Sequence, residues 1–308
     1  MTEPARTIFA HFEVRKTKKQ KQAFRDWAKD YAAACGYEMA VERGSFGARN
    51  LVFGDPPAAG VIYTAHYDTC ARLPFPNCIT PKCIPLFFLY QLAICLLLVG
   101  LPALAELLLL RAGAPFAAAH VVFLLLLTLL TALMLVGPAN PHTANDNTSG
   151  VITVLEIMRA LPAGQRGDVA FILFNLEEAG LLGSSSYASK HKRALRGLLV
   201  NFDCVSDGSH FLFIARRGSR ADLPALARAF LPDESHTVEF ASRGVIYPSD
   251  QASFRRGIGV AALRRTRRGL LYLSRIHTPR DTVFESGNID FLVAGALRLA
   301  GQLGGRPI

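Results

Sequence analysis

In this 308-residue chain, the apolar run DVAFILFN is followed by LEE, so Glu177 and Glu178 stand side by side where a buried strand should end. GVIYTAHYD places His66 and Asp68 at a second strand end, GLLVNFD places Asp203 at a third, and LYLSRIHTPRD places His277 and Asp281 at a fourth. NDNTSG adds Asp146 in a loop just before a helix. Carboxylates brought together repel one another and raise their own pKa values, a cost that a divalent cation removes. Imidazole and carboxylate donors without thiolates suit zinc, with manganese or cobalt as alternatives. Two histidines with three carboxylates suffice for two ions about 3.5 to 4 Å apart, one carboxylate bridging. One glutamate of the pair can bind metal while its neighbour acts as a general base toward a metal-activated water. Adjacent strand residues face opposite ways, so the strand must break for both to reach one cavity. Gly180 and Gly183 in AGLLGS permit the turn that follows.

The elements that must position these residues are legible as periodic segments. KKQKQAFRDWAKDYAAACG, TSGVITVLEIMRAL, GSSSYASKHKRAL and IDFLVAGALRLAGQL read as helices, the second with Thr148 or Ser149 near its N-cap. YEMAVERG, ARNLVFG, GVIYTAHYDT, DVAFILFN, GLLVNFDCV, HFLFIARR, HTVEFASRG, GVAALRRT and GLLYLSR read as strands. Strands alternating with helices predict a three-layer α/β sandwich with a central mixed, mainly parallel sheet. Polar chemistry in such folds gathers at the carboxyl ends of the strands, where the acidic and histidine residues fall.

Residues 84–136 depart from this pattern. Two runs, IPLFFLYQLAICLLLVGLPALAELLLL and FAAAHVVFLLLLTLLTALMLV, flank RAGAP. Each approaches the roughly 20 residues that cross a bilayer as a helix. Both are apolar nearly all round, unlike an ordinary core helix, apart from Gln91, Glu106 and His120. Glu106 and His120 lie near the turn, where their heads can reach the interface. The reading is a transmembrane helical hairpin over 84–137, interrupting a domain whose first part is 1–83 and second part 138–308. A charged fraction of 19%, below the usual quarter, agrees with part of the chain leaving water.

A hairpin returns the chain to the face it left. The turn carries Arg111 alone, whereas Lys82 and KTKKQK precede the hairpin, which places the main domain in the cytoplasm. MTEPARTIFAHFEVRK lacks the apolar core of a signal peptide, in line with that side and with six reduced cysteines. Cys78 and Cys83 do not match a zinc spacing. The net charge of +10 fits a soluble basic surface or attraction to anionic lipid headgroups. No recognition motif points to nucleic acid.

In order, AHYD, NDNTSG, NLEEAGLLGSSSYA, NFDCV, SDQASF and IHTPRDT closely resemble the M28 zinc metallopeptidases over roughly residues 20–83 and 138–303. That family contains aminopeptidases, glutamate carboxypeptidases and glutaminyl cyclases. The resemblance implies a zinc-peptidase fold in which His66 and Asp203 hold one zinc, Glu178 and His277 the other, and Asp146 bridges the two. It further implies Glu177 as general acid/base and Asp68 orienting His66 without binding metal. Asp281 would support the loop of His277, and the Asp146–Asn147 peptide would be cis. The implied activity is that of a membrane-anchored zinc exopeptidase, an aminopeptidase acting on peptides. A mono-zinc glutaminyl cyclase and a non-catalytic binding protein are the alternatives. The hairpin could serve as a homodimer contact as readily as an anchor. Unlike soluble relatives, the chain inserts the hairpin between the His66 and Asp146 motifs, beside the implied site. Tyr247 is a candidate for lining the pocket. Among Arg255, Arg256, Arg264, Arg265, Arg267, Arg268 and Arg275, one or two, Arg275 in particular, are candidates for a substrate carboxylate, against a solvated basic edge. His142 reads as a loop residue.

Overall fold

The structure, a computed structural model, describes residues 1–303. In chain order its elements are α1 (Glu3–Thr7), α2 (Lys18–Ala34), β1 (Met39–Arg43), β2 (Arg49–Phe53), β3 (Val61–His66), α3 (Ile84–Arg111) and α4 (Phe116–Val136). There follow α5 (Gly150–Ala160), β4 (Val169–Phe174), α6 (Leu182–His191), β5 (Leu198–Phe202), β6 (His210–Ala215), α7 (Leu223–Ala229), β7 (Thr237–Ala241), β8 (Gly257–Arg265), β9 (Leu271–Tyr272) and α8 (Ser286–Leu303). The run GLLYLSR, expected as a strand, contributes only the two residues of β9, which pair with the end of β8.

The strands order as β1-β2-β4-β3-β5-β8-β6-β7. The central run β4-β3-β5-β8 is parallel, while β2–β4, β1–β2 and β6–β8 are antiparallel. Strands from both sides of the hairpin thus interleave in one sheet. Side-chain alternation splits the core into layers. Tyr63 and Ala65 of β3, with Phe171 and Leu173 of β4, pack among the residues of α2, α5 and α8 on one face. Ile62, Ala170, Ile172 and Phe174 point the other way, toward Tyr187 of α6. Such strands, covered on both sides, read as unbroken apolar runs because neither face meets water. Helix α2 starts at a reciprocal cap in which the Thr17 side chain accepts from the Gln20 backbone and Gln20 accepts from the Thr17 backbone.

Helices α3 and α4 leave this body. Both are long and apolar enough to cross a membrane. Leu92 and Leu96 of α3 and Leu125 and Leu129 of α4 are exposed by more than half, which an aqueous protein would avoid. The tight turn between them holds Gly113 at φ +86°, a left-handed conformation that glycine adopts without strain. Glu106 and His120 pair across the two helices at 3.0 Å. Their polar ends are therefore spent on each other. The base of the hairpin is tied to the domain: Lys82 pairs with Glu239, Tyr90 Oη donates to the Pro76 carbonyl at 3.1 Å, and Lys16 Nζ donates to the Leu135 carbonyl at 2.9 Å.

Candidate metal centre

Parallel pairing puts the carboxyl ends of β4, β3 and β5 side by side, with His66 opposite Phe174 in register. His66 is the last residue of β3, and Asp203 follows the last residue of β5. After β4 the chain bends: Leu176 takes a left-handed conformation at φ 60°, which turns Glu177 and Glu178 toward the same cavity. This is the break that two adjacent cavity-facing glutamates require. Gly183 completes the turn, because a Cβ there would lie 2.0 Å from the Asn175 carbonyl oxygen. Cys204 and His277 are also left-handed, at φ 57° and 60°. Each such non-glycine conformation costs about 1–3 kcal/mol, and three of the five among the described residues lie at or beside this cavity.

The donor atoms form two overlapping groups. His66 Nε2 lies 3.2 Å from Asp146 Oδ1 and 3.6 Å from Asp203 Oδ1. His277 Nε2 lies 3.0 Å from Asp146 Oδ2 and 3.4 Å from Glu178 Oε2. Asp146 thus offers one oxygen to each group, the arrangement of a bridging carboxylate. His66, Glu177 and Glu178 are also close enough to share an ion, and Cys70 joins Asp146, Glu178 and His277.

The Asp146 loop is held on both sides. Asp281 accepts the backbone N–H groups of Asn145 at 2.9 Å and Asp146 at 3.0 Å. Asp281 therefore grips the Asp146 loop directly, where support of the His277 loop was expected. Asn147 donates from its side chain to the Phe202 carbonyl at 2.9 Å, tying the loop to the end of β5. The Asp146–Asn147 peptide is cis. Asp68 accepts the backbone N–H groups of Glu177 at 3.1 Å and Glu178 at 3.3 Å. His66 Nδ1 is 3.3 Å from the Asp68 carbonyl oxygen and 3.7 Å from Oδ1. Asp68 therefore holds the ends of β3 and β4 together as well as facing His66.

With protein charges alone the site is strained electrostatically. Burial, helped by neighbouring carboxylates, pushes Glu177 well above the usual carboxyl range and Glu178 up to about 8. Burial likewise raises Asp250 to about 7 and Asp281 to about 7. Burial opposes the charging of His277, but Glu178 and Asp146 outweigh it and bring the imidazole to about 9. Burial also opposes the charge of Asp68, yet His66 and Lys21 hold its carboxyl below the usual range. Glu178 Oε1 is buried without a hydrogen-bond partner among the described residues. Crowded carboxylates, imidazoles and an orphaned oxygen match the donors that a divalent cation takes.

A cavity of about 240 Å³ contains all of these donors except Cys70, and it is also lined by Asn77, Ile79, Phe87, Gln91, Cys204, Tyr247, Pro248 and Ile276. Tyr247 faces it and donates to the Asp203 carbonyl oxygen at 3.2 Å. Arg275 does not line it; its guanidinium pairs with Asp207 at 3.2 Å. Arg256 is paired with Asp222. His142 lies beside Glu13, outside the cavity. Three participants are missing from the sequence reading. Asp250, within SDQASF, is fully buried, and among the described residues neither of its carboxylate oxygens is hydrogen-bonded. Cys70 was set aside with the other thiols, and burial keeps it well above the usual thiol range. Arg15, buried behind the site, donates to the Tyr67 carbonyl and Thr148 hydroxyl. All six cysteines are free.

A family model described as Peptidase family M28 matches residues 130–291. No curated protein matches the chain. Among solved structures, the LapA aminopeptidase of Legionella pneumophila is similar over 99% of this chain and 71% of its own, at 14% identity and a TM-score of 0.61. A leucine aminopeptidase precursor from Bacteroides thetaiotaomicron matches 96% of each chain at 15% identity and a TM-score of 0.57. A Porphyromonas gingivalis glutaminyl cyclase covers 96% of this chain and 94% of its own, at 17% identity and a TM-score of 0.55. At these identities the likeness is one of fold.

Proposed function

The chain belongs to peptidase family M28, and from that membership we propose that it is a membrane-anchored, zinc-dependent aminopeptidase that removes N-terminal residues from peptides. The observation that carries this reading is the shared carboxylate of Asp146, with Glu177 beside both His66 and Glu178. His66 and Asp203 would hold one zinc and Glu178 and His277 the other, with Asp146 offering an oxygen to each group. When bound, the metal pair supplies Lewis acidity toward water and the scissile carbonyl. Glu177 takes the proton of the attacking water and returns it to the leaving amine. Its place beside His66 and Glu178 in the cavity sets its carboxylate within reach of a water held by both donor groups. Asp68 fixes the backbone of both glutamates, and Asp281 fixes that of Asp146. Tyr247 lines the pocket.

The hairpin anchors the domain in a bilayer. Lys16, Lys18 and Lys19 stand near the end of α4, and Lys82, Arg265 and Arg268 near the start of α3. The far turn carries Arg111 alone. That asymmetry supports a cytoplasmic domain.

A glutaminyl cyclase is the second reading, favoured by the likeness of fold to the Porphyromonas gingivalis enzyme. One assay separates the two. Zinc-loaded protein in detergent is given peptides with free, acetylated and glutaminyl N-termini. The aminopeptidase reading expects release of the first residue from free N-termini only, with Glu177→Gln reducing turnover about 10²–10⁴-fold while zinc is retained. Conversion of N-terminal Gln to pyroglutamate without chain shortening would establish the cyclase instead.

A further inference from the structure

The cavity wall facing the metal donors is not supplied by the sandwich alone. Phe87 and Gln91 of α3 line it together with Asn77 and Ile79 of the preceding loop. They stand four residues apart and therefore share one helix face. Phe87 is buried, whereas Phe88, Leu89 and Leu92 around the rest of the helix are exposed by more than half. One face of an otherwise uncovered helix is thus committed to the catalytic cavity.

Helix lengths explain why this part of α3 stays with the domain. Helix α3 has 28 residues and α4 has 21, and they meet at a tight turn. A bilayer core of about 30 Å takes roughly 20 helical residues. With their ends level at the turn, the extra two turns of α3 fall at the domain end, below the hydrocarbon. Phe87 lies in those turns and Gln91 at their limit. The anchoring of Tyr90 to Pro76 and of Lys82 to Glu239 fixes them there.

The lining chemistry is selective. Ile79, Phe87, Pro248 and Ile276 are apolar, and among the described residues no lysine or arginine lines the cavity. Its volume of about 240 Å³ lies below the ~300–1,000 Å³ of drug-sized sites, enough for one residue and its scissile group. Gln91 adds an amide to this lining. Resting on the aminopeptidase reading above, we infer that Phe87 and Gln91 determine specificity. Phe87 packs against an uncharged, apolar first side chain, and the Gln91 amide hydrogen-bonds the substrate main chain. The hairpin is thus a wall of the active site as well as an anchor, and the substrate is a peptide whose N-terminus begins with an apolar residue at the membrane surface.

The test uses the full-length, zinc-loaded protein in lipid nanodiscs. Release of the first residue is measured for peptides beginning with Ala, Leu, Phe, Glu or Lys, and binding of the matching amino-acid hydroxamates is measured by calorimetry. Wild-type protein should prefer Leu and Phe. Phe87→Ala and Phe87→Trp should each change the Leu-to-Ala ratio of kcat/KM about tenfold or more, with matching shifts in hydroxamate affinity. Gln91→Leu should lower kcat/KM for all peptides alike. Leu96→Ala, on the uncovered face, should change nothing. Zinc content and thermal midpoint identify any variant that fails to fold, and Phe87→Leu then serves as the milder change. An active wild type whose profile is unmoved by both Phe87 variants overturns this inference and leaves the aminopeptidase reading standing. A wild type that holds zinc, releases nothing and binds no hydroxamate overturns both.

Discussion

At the scale of single residues, the donors are readable because all but Asp146, which sits in a loop before a helix, fall at the ends of strand-like runs. His66, Asp146, Glu177, Glu178, Asp203 and His277 come from five separate segments, and the structure brings them to one cavity. Their supports are harder to read. Asp281 was visible beside His277, yet its carboxylate grips the backbone of Asn145 and Asp146, a contact fixed by how two distant loops meet. Asp250 and Cys70 were passed over for the same reason: nothing local to either residue states which loop will face it. Asp281 offers the sharpest test at this scale. In Asp281→Asn only one side-chain oxygen remains to accept, so one of the two N–H groups loses its partner. Zinc affinity, measured by competition with a chromogenic chelator, should fall about 10–100-fold. An unchanged affinity would mean that the Asp146 loop holds its place without Asp281. Of the seven arginines, Arg275 and Arg256 pair with Asp207 and Asp222, and neither lines the metal cavity.

Among elements, the parallel strands were legible from their unbroken β-branched and aromatic runs. The GLLYLSR run is shorter as a strand than its apolarity predicts, because its partner changes from β8 at Leu271–Tyr272 to Ile79 of a loop at Leu273. The left-handed Leu176 was implied by two adjacent glutamates with one destination, although nothing in its own side chain announces it. For α3, uniform apolarity conceals which face turns inward, so the role of Phe87 as cavity wall was visible only in three dimensions. The hairpin carries its own prediction. Full-length protein should float with liposomes and resist extraction at alkaline pH, whereas a variant lacking residues 84–136 should be released. In sealed vesicles of known orientation, protease should reach the domain only from the cytoplasmic face. Release of the full-length chain by salt or alkali would show that α3 and α4 lie on a surface rather than across a membrane.

For the whole molecule, one sheet is assembled from both sides of the hairpin, so the hairpin and the metal cavity cannot be separated as independent modules. The strands before the hairpin bring His66, those after it bring Asp203 and the glutamates, and the chain leaves for the hairpin and returns between the His66 and Asp146 segments. On the proposed reading, that connectivity sets a zinc-holding cavity at the bilayer surface. Zinc content per chain tests this most directly, by elemental mass spectrometry on detergent-purified, zinc-supplied protein beside His66→Ala. The account predicts two ions per chain, falling to about one in the variant as one of the two donor groups loses its imidazole. A chain that holds no zinc when zinc is supplied would contradict it.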